Sequence, residues 1–424
     1  MTRYAGIKND SIYVVSDNSF TNDDLEVIEL PANLTHISSE ELITSFRYKN
    51  NQFRSKNVTQ PAKELKVAFV SNLWMQCGLA TYAENLYPEI IKHIGDFRVF
   101  MEDNDVIPTN IIANDKVISC WKRGQPLNEL ANQIKLYDPD VIIVNHEWGL
   151  FPDAKYFMSF MTQISSYRVI VTMHSIFPNH SDKIIVEAVI PEMIVHLDGA
   201  KLNLLNDKKI SGKVIVIPHG CYEITNQDRL WNIYKSNHTF IQSGFGFEYK
   251  NFESSIIAAS ILKTKYEGVF FTALISESPF NKIGHTIYFN KLMDLVIKYN
   301  LQDSVALIRG YQSDIVLSSY LRTNQVGVFP YTSVPNHEVF GASGAARLAM
   351  SFGIPVITSS IPHFSDLNTI KADTPEQIAE ELSKLFSDEA LKRTQVEKQN
   401  QFIIENSWAN TALKYIAVIE NTLI

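Results

Sequence analysis

The amino-acid sequence predicts an α/β protein with two successive parallel sheets, on the basis of three observations. From about residue 64 onward, short β-branched strands alternate with amphipathic helical stretches, which is typical of parallel sheets. A polar stretch over residues 226–237 separates an earlier series of strands from a later one. The chain has 424 residues, more than one hydrophobic core usually serves. Two series of roughly 170 residues each therefore indicate two Rossmann-like domains facing a cleft.

The elements of both series can be placed in order. Short, β-branched segments are the strand candidates of the first series: Val67–Val70, Val141–Val144, Val169–Thr172 and Val214–Ile217. The second series has Phe240–Ile241, Phe270–Leu274, Val305–Ile308, Val326–Phe329 and Val356–Thr358. Helical patterns cover Ala83–Ile94, Ile287–Tyr299 and Ser343–Phe352. The predicted units are an extension (1–63), a first domain (64–235), a second domain (236–400) and a C-terminal helix (401–424) that packs back across the hinge.

The extension does not follow the α/β pattern. Aromatic and basic residues alternate over Phe46–Arg54 around Asn50 and Asn51, which predicts a β-hairpin with one aromatic and one basic face. No acidic residue occurs from Leu42 to Lys63. The candidate ligand contacts of this hairpin are Arg47, Tyr48, Lys49, Arg54 and Lys56.

Composition and charge exclude several classes of protein. The net charge of -8 argues against a globally basic nucleic-acid binder. No run of about eighteen apolar residues occurs, and the N-terminal residues lack the apolar core of a signal peptide. Three cysteines (Cys77, Cys120 and Cys221) are too few and too scattered for a disulfide framework or a zinc ribbon. We therefore expect a reduced, cytoplasmic protein without a metal site, and the sequence leaves its oligomeric state open.

Two segments rich in small residues are candidate ligand loops. Cys77–Tyr82 follows the first strand and opens a helix, where backbone amides can approach an anion. From spacing alone, a tight turn between strand and helix whose glycine serves packing is the favoured alternative. The segment lacks the glycine fingerprint of dinucleotide-dependent oxidoreductases, which disfavours that class. The second segment, Glu338–Ala346, precedes another helix and includes a Gly-Ala-Ser-Gly run suited to a diphosphate. Capping by Ser343, with Glu338 solvated, accounts for the same residues without a ligand.

The order of five motifs resembles that of a known group. Cys77–Leu86 resembles the first-domain loop of retaining glycosyltransferases of the GT-B fold, in particular carbohydrate-active family four. Thr172–His174 is similar to the strand-end histidine of that group, and Ile217–Gly220 to its interdomain signature. Phe245–Asn251 resembles the loop with its donor-phosphate lysine, and Pro330–Val356 its donor-binding loop and helix. The resemblance extends over about residues 64–420.

The resemblance implies a retaining, metal-independent glycosyltransferase with a UDP- or GDP-linked sugar as donor. The first domain would hold the acceptor and the second the donor. His174, near the transferring sugar, and Glu338, which would bind sugar hydroxyls, are the candidate catalytic residues. Lys250 would neutralise the diphosphate in place of a metal or other cofactor. The implied donor-binding set is completed by Gly78, which would approach the phosphates from the first domain, and by Phe340. It also includes Gly341, Ser343 and Gly344, whose backbone amides would face the phosphates.

The sequence departs from the group's pattern in two respects. Leu348 stands where the group usually has a glutamate that binds the ribose, and Phe245 and Phe247 occupy the candidate places of an arginine. Arg309, after a predicted strand, is either a substitute for that arginine in donor binding or part of a surface ion pair. The departures motivate an alternative, a protein that binds nucleotide sugars or glycans without turnover.

The acceptor is open. One candidate is a glycan or lipid-linked sugar. Another is a hydroxymethylated base of viral DNA, acted on in the host cytoplasm, since the predicted hairpin suits base stacking and phosphate contacts. The favoured interpretation of the same hairpin is structural, with its aromatic residues packed on the first domain and its basic face in solvent. His146 and Glu147, at a strand end, are either acceptor contacts or structural residues.

Overall fold

A computed structural model gives the architecture of the chain. It describes residues 4–8, 11–16, 26–30, 46–49, 52–55, 61–103, 116–177, 192–205, 213–223, 238–278, 281–333 and 339–420. Two large parallel sheets flanked by helices make up most of this structure, as the sequence predicts. None of the helices in these ranges combines the length and the apolar character that crossing a membrane would take.

The first sheet has seven parallel strands in the order β13-β12-β10-β9-β6-β7-β8. Its strands are β6 (Lys66–Ser71), β7 (Asp96–Glu102), β8 (Val117–Trp121), β9 (Val141–His146), β10 (Arg168–Met173), β12 (Glu192–Val195) and β13 (Lys213–Val216). The helices are α1 (Gly78–Ile90), α2 (Asn128–Tyr137), α3 (Ala154–Gln163) and α4 (Asp198–Leu205). Apolar side chains of β9 alternate between two buried clusters, one on each face of the sheet. This two-sided burial explains the continuous apolar runs of the central strands.

The second sheet has six parallel strands in the order β16-β15-β14-β17-β19-β20. They are β14 (Thr239–Phe245), β15 (Phe270–Ser276), β16 (Val305–Arg309), β17 (Val326–Phe329), β19 (Val356–Thr358) and β20 (Ile370–Lys371). Its helices are α5 (Phe252–Lys263), α6 (Lys282–Lys298), α7 (Asp314–Thr323), α8 (Gly344–Ser351), α9 (Pro375–Ser387) and α10 (Glu389–Glu405). A two-stranded antiparallel sheet, β11 (Ser175–Ile176) with β18 (Phe340–Gly341), joins the two halves of the chain.

Five short strands near the N-terminus form a separate antiparallel sheet. They are β1 (Tyr4–Lys8), β2 (Ser11–Ser16), β3 (Glu26–Glu29), β4 (Phe46–Lys49) and β5 (Gln52–Ser55), in the order β3-β1-β2-β4-β5. In the β4–β5 pair, Arg47 lies opposite Arg54 and Tyr48 opposite Phe53. Asn50, Asn51 and Lys56 lie outside the described residues. The hairpin with an aromatic and a basic face therefore stays a prediction.

The last described helix, α11 (Trp408–Ile419), returns to the first sheet and packs against α1. Its apolar residues belong to the same buried cluster as the α1 residues Tyr82 and Leu86. Arg168, which is 5% exposed, donates hydrogen bonds to the carbonyl groups of Val418 and Ile419 at 2.8 and 2.6 Å. These contacts fix the end of the described chain on the first half of the protein.

The turn that precedes the polar segment between the sheets is packed tightly under α11. An ideal Cβ placed on Gly220 would lie 2.2 Å from Cε3 of Trp408, which is 7% exposed. The Gly220→Ala variant should therefore lose about 1–3 kcal/mol of unfolding free energy, because the indole or the backbone must move. Denaturant unfolding measures this loss, and an unchanged midpoint would contradict the packing described here.

Candidate active site

The candidate site lies where the end of β10 meets the segment that contains β18. Ser175 pairs with Gly341, and Ile176 pairs with Phe340. An ideal Cβ on Gly341 would lie 3.1 Å from the carbonyl oxygen of His174, so any side chain there would crowd the junction. The predicted catalytic histidine and the predicted donor loop are therefore in direct contact.

Phe340 serves this junction rather than an open ligand surface. Its ring lies 2.8 Å (Cε1) from the ideal Cβ position of Gly199, in α4 of the first half. It also packs, partly buried, against the buried cluster on that face of the first sheet. The ring holds the two halves of the chain together, and this packing does not test its predicted contact with the donor.

Gly78 is the first residue of α1, directly after the extended residue Cys77. No side chain caps this helix, so its first amides are not occupied in that way. An ideal Cβ on Gly78 would have no described atom within 4 Å. Packing within the described protein therefore gives no reason for a glycine here, whereas a closely approaching ligand would.

The N-terminus of α8 faces the same junction. Ser343 caps the helix, accepting a hydrogen bond from the amide of Ala346 at 3.4 Å, as the alternative interpretation of this segment expects. Gly344 is exposed, and its ideal Cβ would lie 3.6 Å from Nε2 of His219. The hydroxyl of Ser343 is used internally, so the predicted phosphate contact falls to backbone amides of the first turn.

A buried arginine holds this helix start in place. Arg347, 1% exposed, donates a hydrogen bond to the carbonyl oxygen of Ser343 at 3.1 Å and pairs with Asp366. Burial makes the ion pair costly to break, so the position of the first turn is strongly fixed. The helix N-terminus is thus preorganised before any ligand arrives.

Lys250 projects its ammonium group over aromatic rings. Nζ lies 3.8 Å from the centroid of Tyr331 and 4.8 Å from that of Tyr249. No carboxylate of the described residues lies within 4.0 Å of it. Burial lowers the pKa of this amine, with a smaller opposing effect of Tyr249. A cation in this position has no counter-ion among the described residues, and an anionic ligand would supply one.

His174 belongs to a group of packed histidines at the strand ends. Its Nδ1 lies 3.2 Å from Nε2 of His196, whose Nδ1 lies 2.9 Å from the carbonyl oxygen of Ile217. The edge of the Tyr82 ring packs on His174 with centroids 4.5 Å apart. Burial, followed by the repulsion of His196, His219 and His146, lowers the pKa of His174 well below its ordinary value. His174 is therefore neutral at physiological pH.

His146 lies inside an aromatic cluster. It is 1% exposed, stacks on Phe151 at 5.5 Å between centroids and contacts Phe157 at 4.5 Å. Neither ring nitrogen has a hydrogen-bond partner among the described residues, and burial lowers its pKa to about 3. Glu147 is half-buried and follows the strand. This burial favours a structural role for His146, and its predicted contact with an acceptor is not tested by these positions.

Of the two remaining candidates for donor and sugar binding, one is engaged elsewhere and one lies outside the described ranges. Arg309 forms an ion pair with Glu277 at 2.6 Å and donates to the Thr286 hydroxyl at 2.5 Å. Glu338 lies outside the described residues. Nothing in the described part of the chain groups three His, Cys, Asp or Glu side chains in a way that could hold a metal ion.

Two residues at the junction carry no local sequence signal. His363 has Nε2 3.8 Å from the ideal Cβ of Gly341, and its Nδ1 has no partner in the described structure. Burial and the nearby charge of Lys250 lower the pKa of His363 to about 3. His196 is 3% exposed. Each is an isolated histidine in the sequence, and the strand before His196, Glu192–Val195, is not among the predicted ones.

Comparison with known proteins places the fold. No protein-family model matches the sequence, and no curated protein matches it. Among solved structures, sucrose-phosphate synthase from Thermosynechococcus elongatus is similar, with 16% identity, a TM-score of 0.67 and coverage of 85% of this chain and 99% of that one.

Two further structures have the same architecture. A UDP-forming alpha,alpha-trehalose-phosphate synthase from Burkholderia xenovorans, in complex with glucose-6-phosphate, matches with 13% identity, a TM-score of 0.67 and coverage of 84% and 100%. HepE from Anabaena, in complex with UDP, matches with 11% identity, a TM-score of 0.64 and coverage of 84% and 100%. The chain thus has the two-domain GT-B fold that the sequence predicts.

Proposed function

We propose that this protein is a retaining glycosyltransferase that moves a sugar from a UDP- or GDP-linked donor to a hydroxyl group of an acceptor. The donor would lie between the second sheet and the junction of β11 with β18. The observation that carries the proposal is the ammonium group of Lys250, half-buried over two tyrosines and without a described carboxylate partner. A diphosphate supplies the missing negative charge.

The surrounding groups suit a leaving diphosphate. The start of α8, exposed at Gly344, provides amides with a partial positive charge, and Lys250 provides a full one. Together they would stabilise the charge that develops as the bond between sugar and phosphate breaks, without a protein nucleophile or a metal ion. The acceptor would lose its proton to the leaving phosphate on the same face of the sugar, which retains the anomeric configuration.

The acceptor is proposed more broadly. Two of the similar structures point to sugar phosphates: the trehalose-phosphate synthase is in complex with glucose-6-phosphate, and the other protein is a sucrose-phosphate synthase. Sugar phosphates are therefore the first acceptors to test, beside glycans and lipid-linked sugars. A hydroxymethylated base of DNA belongs in the same panel as a prediction from the sequence of residues 46–56.

The proposal is tested first by nucleotide binding and then by turnover. Thermal unfolding is followed with UDP, GDP and their sugar conjugates, where a ligand at a hundred times its Kd should stabilise by about 2.7 kcal/mol. Radiolabelled nucleotide sugar then reports hydrolysis and transfer, and NMR of the product reports the anomeric configuration. No stabilisation by any nucleotide would reject the proposal.

One observation favours a second candidate, a protein that binds nucleotide sugars or glycans without turnover. Leu348 is partly buried and packs against the apolar cluster below α8, at the position where a polar ribose contact is expected. Nucleotide binding with neither donor hydrolysis nor transfer would favour this candidate. Even slow hydrolysis would exclude it.

The Gly78→Ala variant separates ligand contact from packing. An added methyl group meets no described protein atom, so the free energy of unfolding should change by less than about 1 kcal/mol. If donor phosphates approach this backbone, the affinity for the nucleotide sugar should fall at least about tenfold. Calorimetric titration measures the donor affinity of Gly78→Ala. The comparison is with Gly220→Ala, for which the expected loss is one of stability. Unchanged donor affinity would remove Gly78 from the site.

A further inference from the structure

The hydrogen bonds that link Ile217, His196 and His174 determine which ring nitrogen of each histidine carries a hydrogen. The carbonyl oxygen of Ile217 can only accept, so the Nδ1 of His196, 2.9 Å away, carries a hydrogen. Burial lowers the pKa of His196 to about 4, which leaves the ring neutral at physiological pH. The Nε2 of His196 therefore has a free lone pair and acts as an acceptor.

The same reasoning extends to His174. Its Nδ1 lies 3.2 Å from that lone pair, so it must carry the hydrogen that His196 accepts. His174 is also neutral, because burial and three neighbouring histidines disfavour its cation. Its second ring nitrogen, Nε2, is left without a hydrogen. This atom is buried and has no partner among the residues that the structure describes.

A buried acceptor without a partner costs free energy unless a ligand satisfies it. The backbone carbonyl oxygen of His174 lies 3.1 Å from the ideal Cβ position of Gly341, so the donor proposed above would adjoin this residue, and one of its hydroxyl groups is the partner that Nε2 would take. A lone pair attracts a hydroxyl group and repels the unprotonated oxygens of phosphate or carboxylate. The arrangement therefore suits a sugar hydroxyl and not the diphosphate.

We infer that His196 is a positioning residue, which fixes the tautomer of His174 and so makes its Nε2 an acceptor for a hydroxyl group of the transferred sugar. This inference rests on the proposed function. His196 itself contacts no ligand. It acts through the hydrogen bond with His174, anchored at the backbone of Ile217.

The tautomers can be measured without activity. In ¹⁵N-histidine NMR spectra of the unliganded protein, both His174 and His196 should be protonated on Nδ1 only. The His196→Phe variant removes the acceptor, so His174 should lose this preference. The His196→Gln variant places an amide oxygen near the former Nε2 and should restore it. A His174 protonated on Nε2 in the unaltered protein, or an unchanged tautomer in His196→Phe, would overturn the inference.

Ligand binding tests the second part of the inference, the contact of His174 with a hydroxyl group of the sugar. The His196→Phe variant should bind the nucleotide sugar about tenfold more weakly, while its affinity for the nucleoside diphosphate alone stays the same. The His196→Gln variant should recover most of the loss. Equal losses for nucleotide sugar and nucleoside diphosphate would reject sugar recognition by His174.

The outcomes keep the two proposals apart. If the expected tautomers are found and no nucleotide binds, the proposed function and the sugar contact both fail, and the positioning of His174 by His196 stands. If nucleotides bind but His174 carries its proton on Nε2, the proposed function stands and this inference fails. The unaltered protein suffices for that decision, so it does not depend on how well His196→Phe folds.

Discussion

The Lys250→Met variant should bind and turn over the nucleotide-sugar donor at least about a hundredfold less well than the unaltered protein. The replacement keeps the length and the apolar stem of the side chain and removes its charge. If Lys250 faces the diphosphate in a water-poor site, losing one charge-assisted contact costs about 3 kcal/mol or more. Calorimetric titration with the donor and a single-turnover assay measure binding and chemistry separately.

The chain offers a matched control for this variant. Lys298, at the end of α6, also places its Nζ over a tyrosine ring, 5.3 Å from the centroid of Tyr299, but it is exposed. The Lys298→Met variant should leave donor affinity unchanged. Equal affinities in the two variants would contradict the donor site, whereas a loss confined to Lys250→Met supports it.

The Lys250→Met substitution should weaken donor binding without lowering the free energy of unfolding. Because burial lowers the pKa of Lys250, the folded protein holds this proton less tightly than the unfolded chain does. The charge therefore opposes folding at every pH below the ordinary lysine pKa. The Lys250→Met variant should unfold at the same or a higher denaturant concentration. A clear loss of stability would show that weaker donor binding has a structural cause.

The fold was predictable where the sequence is continuously apolar. Val141–Val144 and Val169–Thr172 are buried on both faces of the sheet, so their β-branched runs reveal them directly. The strand Asp96–Glu102 escaped prediction because Arg98 and its acidic ends break the apolar run. The helical pattern predicts that α1 starts at Ala83, because glycine has a poor helix propensity. The helix starts at Gly78, since the tertiary structure overrides this propensity.

The candidate site was predictable only through motifs with a fixed local spacing. The flanking residues in the sequence are enough to identify Gly78, His174 and Lys250. His196 is not, since its hydrogen-bond partner Ile217 lies 21 positions further along the chain. The separate position of Tyr331 below Lys250 likewise follows from the order of strands β14 and β17 and not from adjacent residues.

The neutral histidines of the first sheet should make the protein sensitive to acid. Burial lowers the pKa of His146 to about 3 and that of His196 to about 4. The unfolded chain takes up their protons as pH falls through about 6.5, and the folded protein does not until these lower values are reached. Each histidine should therefore remove about 1.4 kcal/mol of unfolding free energy per pH unit in that interval. Between pH 6.5 and pH 4.5 the two together remove about 5 kcal/mol, which is the whole stability of many domains.

The slope of stability against pH isolates the contribution of one histidine. The His146→Phe variant keeps a ring against Phe151 and Phe157 and cannot take up a proton. Its absolute stability depends on how the larger ring packs, but its slope below about pH 6 should be smaller by about 1.4 kcal/mol per pH unit. Denaturant unfolding at several pH values gives both quantities. Parallel slopes would mean that His146 is protonated in the folded protein, and that the aromatic cluster admits water or a counter-ion to its ring nitrogens.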